Sequence, residues 1–290
     1  MQLGSVGVWS GLLRRGERQA AVEAAAELEE LGYGALWFPG GQHEDVVDHI
    51  WALLNGTRRA VIATGIVSVW THPAPVMAEA HHEFTQKYSG RFLLGIGISH
   101  QHAVEGAGIK YEKPLQKLRS YLDELDAATH PVPVDERIIA SLGPLSLKLS
   151  RDRSLGTHPY FMPVEHTRIS REAVGQGKLV APEQMVVLET DPPRARKIAR
   201  AAMDRYLHAP NYVNNLLRLG YSEADVGNGG SDRLVDDLIA WGAPDKITQR
   251  IREHHTAGAD HVCIQVLTEN PADLKAVMAG YRQIAPAVVA

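Results

Sequence analysis

The chain has 290 residues, 44% of them hydrophobic, with 22% charged and a formal net charge of −4. That balance suits one large globular domain spanning residues 1–290 and leaves no basic surface for nucleic acid or an anionic membrane. One cysteine, Cys263, excludes an internal disulfide framework. Its apolar setting, His261-Val-Cys-Ile-Gln-Val-Leu267, predicts a buried, inert thiol.

Strand and helix signals alternate from start to finish. Gly4–Trp9 reads as a strand, and Glu17–Leu31 as a helix with Ala21, Ala25, Leu28 and Leu31 on one face and Gly32 as its stop. Ala35–Phe38 is the second strand, before Pro39-Gly40-Gly41. After a helix over about 44–54, the apolar run Val61–Val69 is the third strand. It stops abruptly and passes through Thr71-His72-Pro73 into a helix over Ala74–Tyr88. Arg91–Ile98 is the fourth strand. Pro114 suits the first turn of a helix marked by Leu115, Leu118, Leu122 and Leu125. Arg137–Ser141, Gly156–Phe161, Leu179–Leu188 and His261–Leu267 complete eight strands. Asp191-Pro192 opens a long helical region between the seventh and eighth. Eight strands each followed by helix predict a (β/α)8 TIM barrel, with that helical region expanded; an open doubly wound sheet is the alternative.

A barrel works at the C-terminal ends of its strands. These ends are rich in histidine, aromatic and glycine residues and nearly free of carboxylates, which suits a flat uncharged ring better than a divalent cation. Gly95-Ile-Gly-Ile-Ser99 lacks the third glycine and the immediate helix of a dinucleotide fingerprint. It reads instead as a strand whose glycines admit close neighbours. His100-Gln-His102 is the only His-x-His at a strand end, but no late Asp joins it, and no metal is expected. The turn Ser141-Leu-Gly-Pro144 into a short helix offers backbone N–H groups to a phosphate, or is a plain β–α turn.

In chain order, Leu36-Trp-Phe, Ser68-Val69 before His72-Pro-Ala, Ser89-Gly-Arg-Phe-Leu-Leu-Gly-Ile-Gly97, Ala140–Pro144 and Gly156 resemble the luciferase-like monooxygenase superfamily. Ser68-Val69 is similar to the branch that uses the deazaflavin coenzyme F420. The resemblance implies a cis Ser68–Val69 peptide whose bulge backs the ring. Gly40, Ile98, Ser99 and His100 would lie near ring or ribityl chain, and Ala140, Ser141, Leu142, Gly143 and Pro144 near ribityl and phosphate. Substrate would sit among Trp9, Trp70 and His43. The implied activity is hydride transfer between F420 and a small organic molecule. FMN in a monooxygenase, or an F420-binding protein without turnover, are the alternatives. Sugar-phosphate dehydrogenases of the branch end their second strand in an Asp-His pair, where this chain has Gly40-Gly41. Their glutamate proton donor corresponds here to His100, with His43 as a second proton-transfer candidate. The same resemblance implies a homodimer, while a start without a signal-peptide pattern and apolar stretches well short of the ~20 residues that cross a bilayer predict a cytoplasmic protein.

Overall fold

The computed structural model describes residues 1–41 and 45–289. Among them, eleven strands pair in parallel around one barrel. β1 (Val6–Trp9), β2 (Ala35–Phe38) and β3 (Val61–Thr64) run side by side, and β4 (Val67–Ser68) continues β3. β5 (Phe92–Gly97), β6 (Arg137–Ile139), β7 (Gly156–Thr157) and β8 (Leu179–Val180) follow. β9 (Glu183–Val187) pairs with β10 (Ile239–Trp241) on one side and β11 (Val262–Leu267) on the other, and β11 returns to β1.

The ring closes within a single stretch of chain, because only Ala181-Pro182 separates β8 from β9. Ala181 N–H donates to Thr157 O and Cys263 N–H donates to Pro182 O, each at 2.9 Å, so this stretch joins β7 to β11. The barrel is therefore the expected (β/α)8 fold. The expected seventh strand divides at the proline, which has no N–H for a ladder. The region before the eighth strand is not wholly helical. Besides α8 (Pro192–Leu207) and α9 (Pro210–Arg218) it carries β10, a three-residue strand that short-range patterning misses.

Local rules explain the helices. Asp191 accepts from Arg194 N–H at 3.2 Å and caps α8, with Pro192 at its first position. Pro114 opens α5 (Pro114–Asp126), whose Leu118, Leu122 and Leu125 are buried against the sheet. Cys263 is buried and unpaired, and burial holds its thiol well above its ordinary range. Among the described residues no helix is long and apolar enough to cross a membrane.

The third strand differs most from expectation. It is broken after Thr64, and the non-prolyl cis peptide lies at Gly65–Ile66 rather than at Ser68–Val69, which is trans. The break has a local cause. A Cβ on Gly95 would stand 1.8 Å from Thr64 O, so only glycine lets β5 come this close. Thr64 Oγ1 donates to Gly95 O at 2.8 Å and accepts from Gly95 N–H at 2.9 Å, doing with a hydroxyl what the ladder would do with backbone. The chain then bulges through Gly65–Ile66 before β4 rejoins β5 through Val67 and Ser68.

Candidate active site

A cavity of about 410 Å³ opens at the C-terminal ends of the strands. Its floor is the bulge. Gly65 lacks the Cβ that would lie 2.5 Å from Trp9 Nε1, so the indole reaches in and donates to Gly65 O at 3.1 Å. Gly40 N–H donates to Ile66 O at 3.1 Å from the second strand's end. Ile66, Ile98, Ala140 and Leu142 give the lining a mainly apolar character.

Beneath the floor, the His158 ring stacks on Trp37 at 4.4 Å. Its Nδ1–H donates to Ala181 O at 2.7 Å, which fixes Nε2 as the unprotonated nitrogen, and burial pulls its pKa down to about 4. That Nε2 has no hydrogen-bond partner. Glu183 is also buried: Phe161 N–H donates to its Oε2 at 3.3 Å, Oε1 has no partner, and desolvation raises the carboxyl to about 8.

One end of the cavity meets the start of α6 (Pro144–Arg153). Gly143 at the N-cap position has no side chain to occupy the helix's first N–H groups, and Pro144 has no N–H to offer. Ser146 Oγ donates to Gly143 O at 2.9 Å. Arg218 reaches toward this end, with Nη1 3.7 Å from where a Gly143 Cβ would be, and donates to Asn215 Oδ1 at 3.1 Å.

The remaining wall is aromatic and hydrogen-bonded. Trp9 packs on Tyr160 at 5.1 Å, and Tyr206 on Tyr212 at 5.4 Å. Tyr160 donates to Gln265 Oε1 at 2.9 Å, so its oxygen accepts from the Tyr206 hydroxyl at 2.6 Å, and Tyr206 in turn accepts from Arg205 Nη2. Burial raises the pKa of all three tyrosines, which keeps them neutral donors. His100 sits 5.2 Å from the Tyr212 ring, and its Nδ1 meets Asn211 Oδ1 at 3.4 Å. Burial lowers its pKa, leaving a neutral imidazole.

Of the residues expected from sequence, Trp9, Ser68, Ile98, Ser99, His100, Ala140, Ser141, Leu142 and Gly143 line this cavity. Four others have different places. Val69 is buried in the core because alternation turns it away from Ser68's side of the strand. Gly40 braces the bulge from behind. Pro144 is the first residue of α6 rather than a lining group. Trp70 packs on Tyr111 and donates to Ile98 O at 2.8 Å, which pins the turn where Ser99 takes φ +56°. His43 lies outside the described residues. Ser141 spends its hydroxyl on Ser150 and Thr157, at 2.6 and 2.8 Å.

Sequence reasoning passed over Gly65, Ile66, His158, Arg205, Tyr206, Asn211 and Tyr212, all on the lining. Gly65 inside an apolar strand run was a readable signal of a bulge. The α8–α9 residues had none, since nothing local says which helix folds over the mouth. Among the described residues no group of three or more His, Cys, Asp or Glu is placed to hold a metal ion.

A parallel barrel whose third strand breaks beneath an apolar cavity at the strand ends, with an open helix start at one end, defines the architecture of an α/β-barrel enzyme. The profile of the luciferase-like monooxygenases matches residues 5–261, and the chain belongs to that family. It is 24% identical to the 5,10-methylenetetrahydromethanopterin reductase of Archaeoglobus fulgidus, over 81% of this chain and 85% of that one. Its fold is similar to that of an F420-dependent secondary alcohol dehydrogenase in complex with an F420–acetone adduct: TM-score 0.73, 13% identity, 99% and 98% of the two chains covered. It is also similar to the FMN-bound oxygenating constituent of 3,6-diketocamphane monooxygenase from Pseudomonas putida: TM-score 0.69, 15% identity, 98% of each chain covered.

Proposed function

We propose that the chain is an F420-dependent oxidoreductase acting on a small organic substrate. The observation that carries this reading is the interrupted third strand at the floor of a cavity that ends at the uncapped start of α6. The donor set fits the coenzyme: an apolar floor for a flat ring, small residues along the middle, and helix N–H groups with Arg218 at an anionic end. The F420-dependent alcohol dehydrogenase, whose fold this chain shares, supports the same choice.

When bound, the deazaflavin exchanges two electrons with a substrate carbon as a hydride, and one proton is exchanged with the substrate alongside. The protein's part is placement and proton handling. Ile66 and the bulge would support a flat ring from the floor, with Trp9, His100, Tyr160 and Tyr212 on the wall above it. Ser68, Ile98 and Ser99 would line the ring's surroundings, and Ala140, Leu142 and Gly143 would hold the ribityl chain toward Ser146. His100, oriented by Asn211 and neutral, takes or returns the proton at its Nε2. The wall of aromatic rings keeps water from the ring face.

Residues 1–290 form one barrel domain in this reading, and two copies pair through helices of the N-terminal half, which sedimentation tests. Titration with F420 and with FMN, followed by cofactor absorbance, tests the main proposal. Binding of F420 with little affinity for FMN is expected. Tight FMN binding without F420 affinity overturns it in favour of a flavin monooxygenase, the reading the FMN-bound neighbour favours. Gly40-Gly41, where an acid–base pair stands in related dehydrogenases, favours a binding protein without turnover. Turnover of reduced F420 with a panel of enones, imines and quinones excludes that.

A further inference from the structure

The cavity's charge is one-sided. Arg15 and Arg205 line it, and no Asp or Glu does so among the described residues. Elsewhere arginines are mostly paired: Arg14 with Asp45, Arg137 with Asp126, Arg171 with Asp260, Arg196 with Asp236. Arg205 makes no direct ion pair among the described residues; the buried Glu183 feels its charge, but desolvation raises that carboxyl to about 8 and holds it mainly protonated. Instead the Arg205 Nη2 donates to the Tyr206 hydroxyl, and the guanidinium carbon lies 4.5 Å from the centre of the Tyr206 ring.

This arrangement fixes the cation without neutralising it. A guanidinium can only donate and the Gln265 carbonyl oxygen can only accept, so the chain Arg205, Tyr206, Tyr160, Gln265 has a single direction. Both tyrosine protons are spent within it. What the wall still offers a ligand is the rest of the Arg205 fork, whose planar geometry matches a carboxylate. The surfaces beside it are aromatic rings set at angles to one another, Trp9 at 54° to Tyr160 and Tyr212 at 85° to Tyr206 and 45° to His100, so a thin apolar body can lie against one ring face and meet the edge of the next. A positively charged substrate would be repelled here, and a neutral one would leave the cation unused.

We infer that the substrate is a small planar carboxylic acid, aromatic or unsaturated, whose carboxylate pairs with Arg205 while its apolar body lies against Trp9, Tyr160 and Tyr212. This names the substrate class of the site proposed above and rests on that reading. The coenzyme's acidic groups compete for the same chemistry, but the α6 start and Arg218 already provide for them at the other end.

Calorimetric titration of the cofactor-free protein with cinnamate and with methyl cinnamate tests the inference, because the two differ in charge and little in shape. Cinnamate is expected to bind about tenfold tighter, roughly one charge-assisted hydrogen-bonded pair. Arg205→Met, on an exposed stretch of α8, should bring the two within about twofold while F420 affinity stays as in the wild type. Arg205→Lys should keep part of the preference, which separates loss of charge from loss of fold. Arg218→Met should show the reverse pattern, weakening F420 and sparing cinnamate. Equal binding of acid and ester, no binding of cinnamate, or a preference that survives Arg205→Met overturns the inference. So does an Arg205→Met protein that loses F420 affinity, since Arg205 would then hold the coenzyme. If F420 fails to bind the wild type while the cinnamate preference still follows Arg205, the coenzyme assignment falls and the acid site stands.

Discussion

The floor and the wall of the cavity are built in opposite ways. The floor is backbone: Thr64, Gly65 and Gly95 approach so closely that missing side chains set its shape. The wall is side chain: Arg205, Tyr206, Tyr160 and Gln265 form a directed hydrogen-bond chain joining α8 to β11 through Tyr160, just past the end of β7. A floor of this kind tolerates no added atom. A wall of this kind tolerates exchange of a hydroxyl at the cost of about one bond, so specificity is easier to change at the wall than cofactor seating at the floor.

Acid should give the largest effect, and of the groups concerned His158 lies directly beneath the floor. Burial pulls the His158 and His261 imidazoles down to about 4 and His254 to about 3 in the folded chain. An unfolded histidine titrates near 6.5. As pH falls below about 6.5 the unfolded state takes up protons that the folded state refuses, costing up to about 1.4 kcal/mol per pH unit for each histidine. The melting temperature should fall steeply from pH 6.5 toward 4. Glu183 acts in the other direction. With a folded value of about 8 against an unfolded 4.5, its contribution is complete below pH 4.5 and is lost as pH rises through 8. Glu183→Gln should flatten the alkaline limb of the stability profile and leave the acid limb in place. An acid limb absent from thermal melts would contradict the buried neutral histidines.

Gly95→Ala comes next. Its Cβ would meet a backbone oxygen at 1.8 Å, and a loss of more than about 3 kcal/mol is expected in urea unfolding. A loss below about 1 kcal/mol would mean that the floor yields as readily as the wall. Gly65→Ala meets a side chain instead, the Trp9 indole, and should cost about 1–3 kcal/mol while weakening F420 binding about tenfold or more. Smallest is Tyr206→Phe, which removes two wall hydrogen bonds and should cost about 1–2 kcal/mol. Its F420 affinity should be unchanged, and a drop like that of Gly65→Ala would erase the distinction between floor and wall.

The barrel was legible in the sequence because parallel strands buried on both faces leave continuous apolar runs, and caps such as Asp191 mark where helices begin. Ser68, Ile98, His100 and Gly143 were legible as cavity residues because strand ends face the working side of a barrel. The position of the bulge was misread by three residues. Gly65 within the apolar run from Val61 to Val69 hinted at a bulge, but its place is set by the pairing of Thr64 with Gly95, some thirty positions apart in the chain. The wall was the least legible part. Arg205, Tyr206 and Tyr212 come from helices whose local pattern says that they are helical and nothing about which rim they cover. Their meaning depends on Tyr160 and Gln265, distant positions that only the closed ring brings within bonding range.

Thr64 also bears on how such a barrel can be redesigned. Its hydroxyl is a splice across a cut in the ladder, with one contact to the Gly95 carbonyl and one to the Gly95 amide. Transplanting the Gly65–Ile66 kink into another barrel therefore requires a three-part graft: the kink, the hydroxyl before it and the glycine on the adjoining strand. Any two without the third would leave either a clash or two stranded polar groups, and the parts should be strongly non-additive when exchanged one at a time.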